Sequence, residues 1–314
     1  FYSSGHVGTA MRVTKTFGLQ LVDSHIFNMK HGVEFYGVNR NILINACQIW
    51  SMSGDGLRFV ESDTHQFILN ACHISYCYRA FYSVNSDLYN FELTGNDIEC
   101  NKTRYVAPYN LIHIVGGHVE GLTAVGNNFE DHYIATDYLI KIEGALETQQ
   151  VHFVGNEIGN GLSGTFYFNG GKNIVIANNT DTQGKGNFIG FHCTQDLSNV
   201  VIEGNVFQPL ITNDDTIDDQ TECSFLKING TSDEVNSYFA GGIVVSNNVA
   251  NLLCGHFVRI YNTRIFQVNI SDNVFDNSDL PGGFWEKTNF FAIKIAENIE
   301  YIRQLSISGN HYRG

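Results

Sequence analysis

The chain has 314 residues, 43% of them hydrophobic and 16% charged, with 31 Gly against 3 Pro. That composition supports a large core and excludes a disordered chain, and its turn-rich, Asn-rich balance reads as β structure. A net charge of −14 argues against a duplex nucleic acid partner, which needs a basic face, and the lack of any run of about 18 apolar residues indicates no membrane span.

The 7 Cys show neither CxxC nor zinc-finger spacing. An odd count in a chain this long is expected to leave reduced thiols, made in a reducing compartment. No signal-peptide pattern opens the chain. It begins mid-pattern at Phe1 and stops inside one at Gly314, so residues 1–314 are expected to be a domain of a longer protein.

Taken in chain order, the predicted elements are short strands that repeat. Aligned on their apolar alternation, each coil reads apolar-x-apolar-x-small-Asn-x-apolar. The small position runs Asp23, Ala46, Ala71, Gly95, Gly126, Gly155, Asn178, Gly204, Asn247, Asp272, Gly309. The next position is Ser24, Cys47 and Cys72, then Asn in eight consecutive coils from Asn96 to Asn310. Two residues later comes an apolar residue (Ile26, Ile49, Ile74, Ile98, Phe129, Ile158), a column that Asp181 breaks. The period is near 24 residues, with insertions expected near 101–111, 131–138, 208–225, 231–241 and 276–291. Cys47 and Cys72 share a repeat position, where they could stack or bond; buried thiols are the plainer expectation.

A second strand in each coil alternates with a period of two. Its inward pairs are expected to be Val33/Phe35, Leu57/Phe59, Tyr82/Val84, Ile112/Ile114, Ile140/Ile142, Phe166/Phe168 and onward to Ile293/Ile295. One face is then buried and one wet. Helical solenoids need a 3.6-residue period, propeller blades need four strands in about 40 residues, and leucine-rich repeats need a Leu frame. What remains is an all-β, single-stranded parallel β-helix of about 11 coils. Asn tolerates the left-handed backbone region, so the Asn column is expected to form the turn. Its amides are expected to bond rung to rung as a ladder.

The Asn ladder of 96–310 and the phrase SGDGLRF (53–59) resemble the right-handed parallel β-helix of the pectin-lyase-like superfamily, over about the whole chain. With reduced Cys and an excised domain, the chain looks most like a bacteriophage tailspike or capsule depolymerase. That resemblance implies a homotrimer, further domains beyond this segment and a bacterial surface polysaccharide as ligand. It also implies a place in the virion tail, synthesis in the host cytoplasm and action outside it. The paired-Asp and Arg-x-Lys signatures of extracellular pectinolytic members are not found in corresponding form.

Outward side chains of such a fold form columns, one residue per rung. The third residue after the turn gives Trp50, Ser75, Glu99, Glu130 and Gly159, which places Glu99 and Glu130 on adjacent rungs, with Asp97, Asp131 and His132 close by. Stacked carboxylates repel, which favours a proton on one of them, as general acid catalysis wants. Glycosidases hold two carboxyls about 5–5.5 Å apart for retention and about 6.5–9.5 Å for inversion. The first expectation is therefore a hydrolase. Glu99 and Glu130 form its pair and Asp131 is the reserve, while Trp50, Tyr76, Tyr78 and His132 contact sugar. The plain alternative is an acidic solvated face, or carboxylates and carbonyls around a metal.

The other outward column reads Glu34, Arg58, Ser83, His113, Lys141, Tyr167, Gly190, Lys227, Arg259, Lys294. His113, Lys141 and Tyr167 occupy three successive rungs, with Glu143 two residues beyond Lys141. A polysaccharide lyase removes the proton beside a uronate carboxylate, and needs a base and a cation to hold the developing charge. This trio could supply both, or contact substrate in a hydrolase; a mixed polar outer face is the plain alternative. Asp55 in SGDG is expected to be turn scaffold. Lys227, Arg259 and Lys294 continue the column, with an anionic sugar or nearby acids such as Asp233, Glu234 and Glu297 as partners. The acidic insertion 208–225 reads as a solvated loop, and that carrying Trp285 as a cap or a contact with a neighbour. No phosphate-binding loop, HExxH or serine elbow occurs, and no cofactor or metal is expected. A third possibility is a non-catalytic adhesin, since fold does not fix function.

Overall fold

The computed structural model describes residues 5–100, 110–131, 138–159, 164–182, 186–208, 224–230, 239–251, 256–276, 292–295, 299 and 301–313; the side chains of Cys100 and Asp131 are not described. The insertions expected near 101–111, 131–138, 208–225, 231–241 and 276–291 lie almost wholly outside these residues. Among the described residues every regular element is a strand, and no helix is long and apolar enough to cross a membrane.

One coil shows how the sequence builds the rest. The strand His31–Asn45 bends at Gly37 (φ 60°) and Asn41 (φ 55°), turns at Ala46 (φ 51°), continues as Gln48–Trp50 and turns again at Ser51 (φ 60°). The next coil repeats this with Asp55–Asn70 and His73–Ser75. Pairing is parallel and in register from rung to rung: Val33 with Leu57 and then Phe81, Ile49 with Ile74 and then Ile98. The long strands form a 20-stranded sheet and the short ones an 11-stranded sheet. The architecture is a parallel β-solenoid.

The left-handed corners differ from expectation by one residue. Positive φ falls on the small position, at Asp23, Ala46, Ala71, Gly95, Gly126, Gly155, Asn178, Gly204, Asn247, Asp272 and Gly309, and not on the ladder Asn. The ladder Asn has a different task. Its amide points into the core, where Asn156 is 1% exposed and Asn179 is 0% exposed. Seven amide-to-amide bonds of 2.8–3.0 Å run without a break from Asn96 to Asn310. Each Nδ2 also donates to a strand carbonyl, as Asn127 does to Leu93. Each Oδ1 also accepts a turn N–H from the rung before, as that of Asn156 does from Asn127. Buried backbone groups must be paired, and here the amide column supplies the partners. The left-handed conformation costs about 1–2 kcal/mol in most L-residues, so Gly, Asn and Asp recur at the corner itself.

Cys72 and Cys47 extend the column. Cys72 donates its N–H to Asn96 Oδ1 (2.9 Å), and Cys47 donates its own to Cys72 Sγ (3.4 Å). Cys47, Cys72, Cys77 and Cys193 form no disulfide and are buried. Burial pushes the Cys72 thiol up to about 11 and those of Cys77 and Cys193 up to about 12. These are packing thiols.

The core is a stack of aromatic and branched side chains, with Phe35 on Phe59 (4.6 Å) and Phe59 on Phe81 (5.0 Å). The expected inward pairs are buried through Val258/Ile260, with one exception. Ser83 pairs with Ile114 and Tyr82 with His113, so Phe81 and Ser83 face inward and Tyr82 faces out. A small residue at 83 lies opposite Phe59, whose ring contacts both Phe81 and Phe91. Two other columns hold buried polar side chains. Ser75 is 2% exposed in the expected outward column. Asp181 is fully buried and accepts a hydrogen bond from the Thr165 hydroxyl.

Candidate functional site

The long-strand sheet carries the expected second column, with one change. Strands Asp55–Asn70, Arg79–Thr94, Ile112–Val125, Ile140–Glu143 and Gly164–Phe168 place Arg58, Tyr82, His113, Lys141 and Tyr167 on successive rungs. Tyr82 takes the place expected for Ser83, which lies inside with no hydrogen bond to its hydroxyl among the described residues.

At the centre of this face one carboxylate joins two rungs. Glu143 is two residues beyond Lys141 and shares its face. Its Oε1 lies 2.7 Å from His113 Nε2 and its Oε2 lies 2.9 Å from Lys141 Nζ. A carboxylate only accepts, so Nε2 carries the imidazole proton and Nδ1 keeps the lone pair. That Nδ1 makes no hydrogen bond among the described residues. Burial lowers the His113 pKa below its ordinary value; Glu143 opposes this, while the Arg79 and Lys141 charges add to it. The ring is thus neutral near pH 7 and able to accept a proton. Lys141 Nζ also lies 5.3 Å from the Tyr167 ring centre, and Tyr167 lies 5.0 Å from the Tyr138 ring. Tyr138 packs across the next rung at Gly190, where any Cβ would collide with its hydroxyl.

Towards the earlier rungs the face is anchored by buried acids. Asp55 is 1% exposed and Glu34 is 3% exposed. Arg79 Nε meets Asp55 Oδ1 at 2.7 Å, and Arg58 lies 3.8 Å from Asp55 Oδ2 and 3.5 Å from Glu34 Oε2. Arg58 also donates to His31 Nε2 at 2.9 Å, and burial lowers the His31 pKa. Arg79 is held with its guanidinium 3.4 Å from the centre of the Tyr82 ring, which lies 5.8 Å from His113. Asp55 is therefore not turn scaffold. It opens a strand and fixes two arginines, as a buried charge must be paired. Gly54 beside it is required for space, because a Cβ there would lie 2.5 Å from the His31 ring.

The short-strand face is built differently. Glu99 and Glu130 are in-register neighbours, as expected. Trp50 stacks on Phe27 at 5.1 Å and is 38% exposed; Tyr76 is 49% exposed. Buried Ser75 separates Trp50 from Glu99 along the column. His73 Nε2 lies 3.7 Å from both Asp97 Oδ2 and Glu99 Oε1. The Tyr78 ring lies 5.1 Å from the Arg79 guanidinium. Asp131 pairs through its backbone with Cys100; its side chain and all of His132 lie outside the described residues. So do Asp233, Glu234 and Glu297, expected near the later cations. Lys227 and Arg259 lie 5.8 and 4.9 Å from the centre of the Tyr261 ring.

The sequence reading passed over Arg79, Tyr82, Tyr138 and His73, and gave Asp55 the wrong role. A signal existed for Arg79. It occupies the same coil position as Asp55, one rung later, so an acid and a base recur at one column position.

No family model and no curated protein matches the chain. Among solved structures, it is similar to one described as "complex structure of alginate lyase AlyF-OU02 with G6". Identity is 12%, the match covers 96% of this chain and 79% of that one, and the TM-score is 0.41.

Proposed function

We propose that the protein cleaves an anionic, uronate-containing polysaccharide by β-elimination on the face centred on His113, Lys141 and Tyr167. The observation that carries this reading is the Glu143 carboxylate, bonded to His113 at 2.7 Å and Lys141 at 2.9 Å. It fixes the tautomer and direction of an imidazole that burial keeps neutral, with Nδ1 open, beside an ammonium.

In this mechanism Lys141 and Arg79 hold the uronate carboxylate and offset the charge that develops when the adjacent C–H bond breaks. His113 Nδ1 takes that proton. The electron pair forms the C4–C5 double bond as the C4–O4 bond breaks, and the Tyr167 hydroxyl donates a proton to the departing O4. Tyr82 and Tyr138 flank the trio as ring surfaces for neighbouring sugars. Its setting in this proposal is a homotrimeric phage tailspike, a right-handed solenoid of about 11 coils acting on a bacterial capsule or O-antigen. The Asn ladder and the buried thiols outside any disulfide support that setting.

A second reading rests on the in-register Glu99 and Glu130: hydrolysis by that carboxylate pair, with Asp131 in reserve and Trp50 and Tyr76 as sugar contacts. Incubation with uronate-containing bacterial polysaccharides separates the two. Ultraviolet absorbance from an unsaturated product supports elimination. New reducing ends without that absorbance overturn it in favour of hydrolysis, and binding without shortening leaves an adhesin. Light scattering tests the trimer.

A further inference from the structure

The short-strand face carries a group that the elimination chemistry does not use. We propose that His73, Asp97 and Glu99 form a binding site for a divalent transition-metal cation of the zinc type.

The fold brings these residues together by two simple relations. His73 and Asp97 are register partners on adjacent rungs. Glu99 is two residues beyond Asp97 and therefore shares its face. One ligand atom from each lies within 4.8 Å of the others. His73 Nε2 is 3.7 Å from both Asp97 Oδ2 and Glu99 Oε1, too far for a hydrogen bond. That nitrogen is also shielded from solvent and has no hydrogen-bond partner among the described residues. A desolvated ring nitrogen facing two carboxylates without bonding either is poorly satisfied as it stands.

A cation resolves the arrangement. Bonds of about 2.0–2.1 Å in a tetrahedral zinc site set ligand atoms roughly 3.3 Å apart, which side-chain rotations reach from 3.7 Å for the two His73 pairs and from within 4.8 Å for the carboxylate pair. Two carboxylates balance a dication, and the imidazole favours a first-row transition metal over calcium, which seeks six to eight oxygens. Three protein ligands leave a fourth position for water. Asn128 acts as an outer support: its Nδ2 donates to Asp97 Oδ1 at 3.0 Å, which leaves Oδ2 turned to His73. Such outer contacts are a regular part of metal sites. The bound ion would tie the rung His73–Ser75 to the rung Asp97–Cys100.

The test titrates chelator-treated protein with zinc chloride and, separately, calcium chloride by calorimetry, and follows the melting temperature. The proposal expects the zinc stoichiometry of His73→Ala to fall by one per chain. It expects Asn128→Ala to bind that zinc about 10-fold more weakly, and zinc to raise the melting temperature of the wild type but not of His73→Ala. Calcium should not occupy the site. Zinc binding that is absent in the wild type, or unchanged in stoichiometry and affinity in His73→Ala, overturns the proposal. If His73→Ala has altered circular dichroism without metal, Asp97→Asn decides the matter by the same reading. None of these readouts depends on polysaccharide cleavage.

Discussion

The two outward faces share one solenoid and one rule of register, yet they treat charge in opposite ways. On the long-strand face the cations near the centre each meet an acid, Arg79 on Asp55, Arg58 on Glu34 and Lys141 on Glu143, and the neutral His113 shares that last carboxylate. On the short-strand face acids stand together: Asp97 and Glu99 face one imidazole, and Glu130 is the register partner of Glu99 on the next rung. The difference lies in which residues fill the columns, since Ile140–Glu143 and Asp97–Cys100 are both four-residue strands. On the first, Glu143 sits diagonally from His113 of the rung before and two residues from Lys141. On the second, carboxylates occupy both outward positions, Asp97 and Glu99. The first face therefore fixes the protonation and direction of its groups, while the second concentrates ligands.

Breaking the centre of the first face has the largest expected effect. Lys141→Ala and His113→Ala should each lower depolymerisation by about 10²–10⁴-fold, the usual contribution of a positioned acid or base, with the circular dichroism unchanged. A rate assay on the sensitive polysaccharide checks this. If both variants stay fully active, the elimination face is wrong.

The ladder beneath both faces comes next. Asn156→Ala leaves the turn N–H and amide of Asn127 without their acceptor and removes the donor to the Ala124 carbonyl and Asn179. At about 1–3 kcal/mol for each buried group left unpaired, the loss should be about 3 kcal/mol or more, read from denaturant unfolding. An equal substitution at the exposed corner, Asn178→Ala, should cost only about 1–2 kcal/mol, the left-handed backbone penalty.

The protonation of His113 offers a finer probe. Its lowered pKa means that, as pH falls below the ordinary 6.5, the unfolded chain gains a proton before the folded one does. Stability should therefore decline between 6.5 and the lowered folded value, and level off below it. The acid limb of kcat/KM should likewise fall below 6.5. Glu143 raises the His113 pKa, so Glu143→Gln should move that limb to still lower pH. It should also reduce kcat/KM by about 10-fold, since it loosens two groups of the constellation. A limb that moves upward would contradict the assigned contact.

The smallest effect belongs to the second face. Glu99→Gln and Glu130→Gln should leave the rate of unsaturated-product formation within about twofold, because neither residue touches the proposed elimination centre. A collapse of activity in both would return the chemistry to the carboxylate pair and its glycosidase geometry.

Much of the molecule was legible in the residues. The Asn column, the inward pairs such as Leu57/Phe59, the neighbouring Glu99 and Glu130 and the trio His113, Lys141, Tyr167 all follow from periodicity. Other features were not. Tyr82 read as inward because the apolar Val84 follows at a period of two, but the register places Ser83 inside, in line with Phe59 and Ile114; periodicity cannot choose its phase where a coil buries Ser. The contact of Arg79 with the Tyr78 ring follows a left-handed corner at Tyr76 (φ 54°), which periodicity does not show. Asp55 looked like a turn residue because Gly flanks it, but those glycines answer to the approach of neighbouring rungs.

By itself the sequence determined the solenoid. Each coil meets nearly the same surroundings as the one before, so the same apolar, small and amide residues recur and can be read as columns. Only the tertiary structure decided which side chains bond across rungs. Contacts such as Glu143 with His113, or His73 with Asp97, join residues 24 or more positions apart, and they depend on the register and the corner angles that set one coil upon the next. Periodicity specifies the column, but side-chain reach across a rung of about 4.8 Å selects the partner.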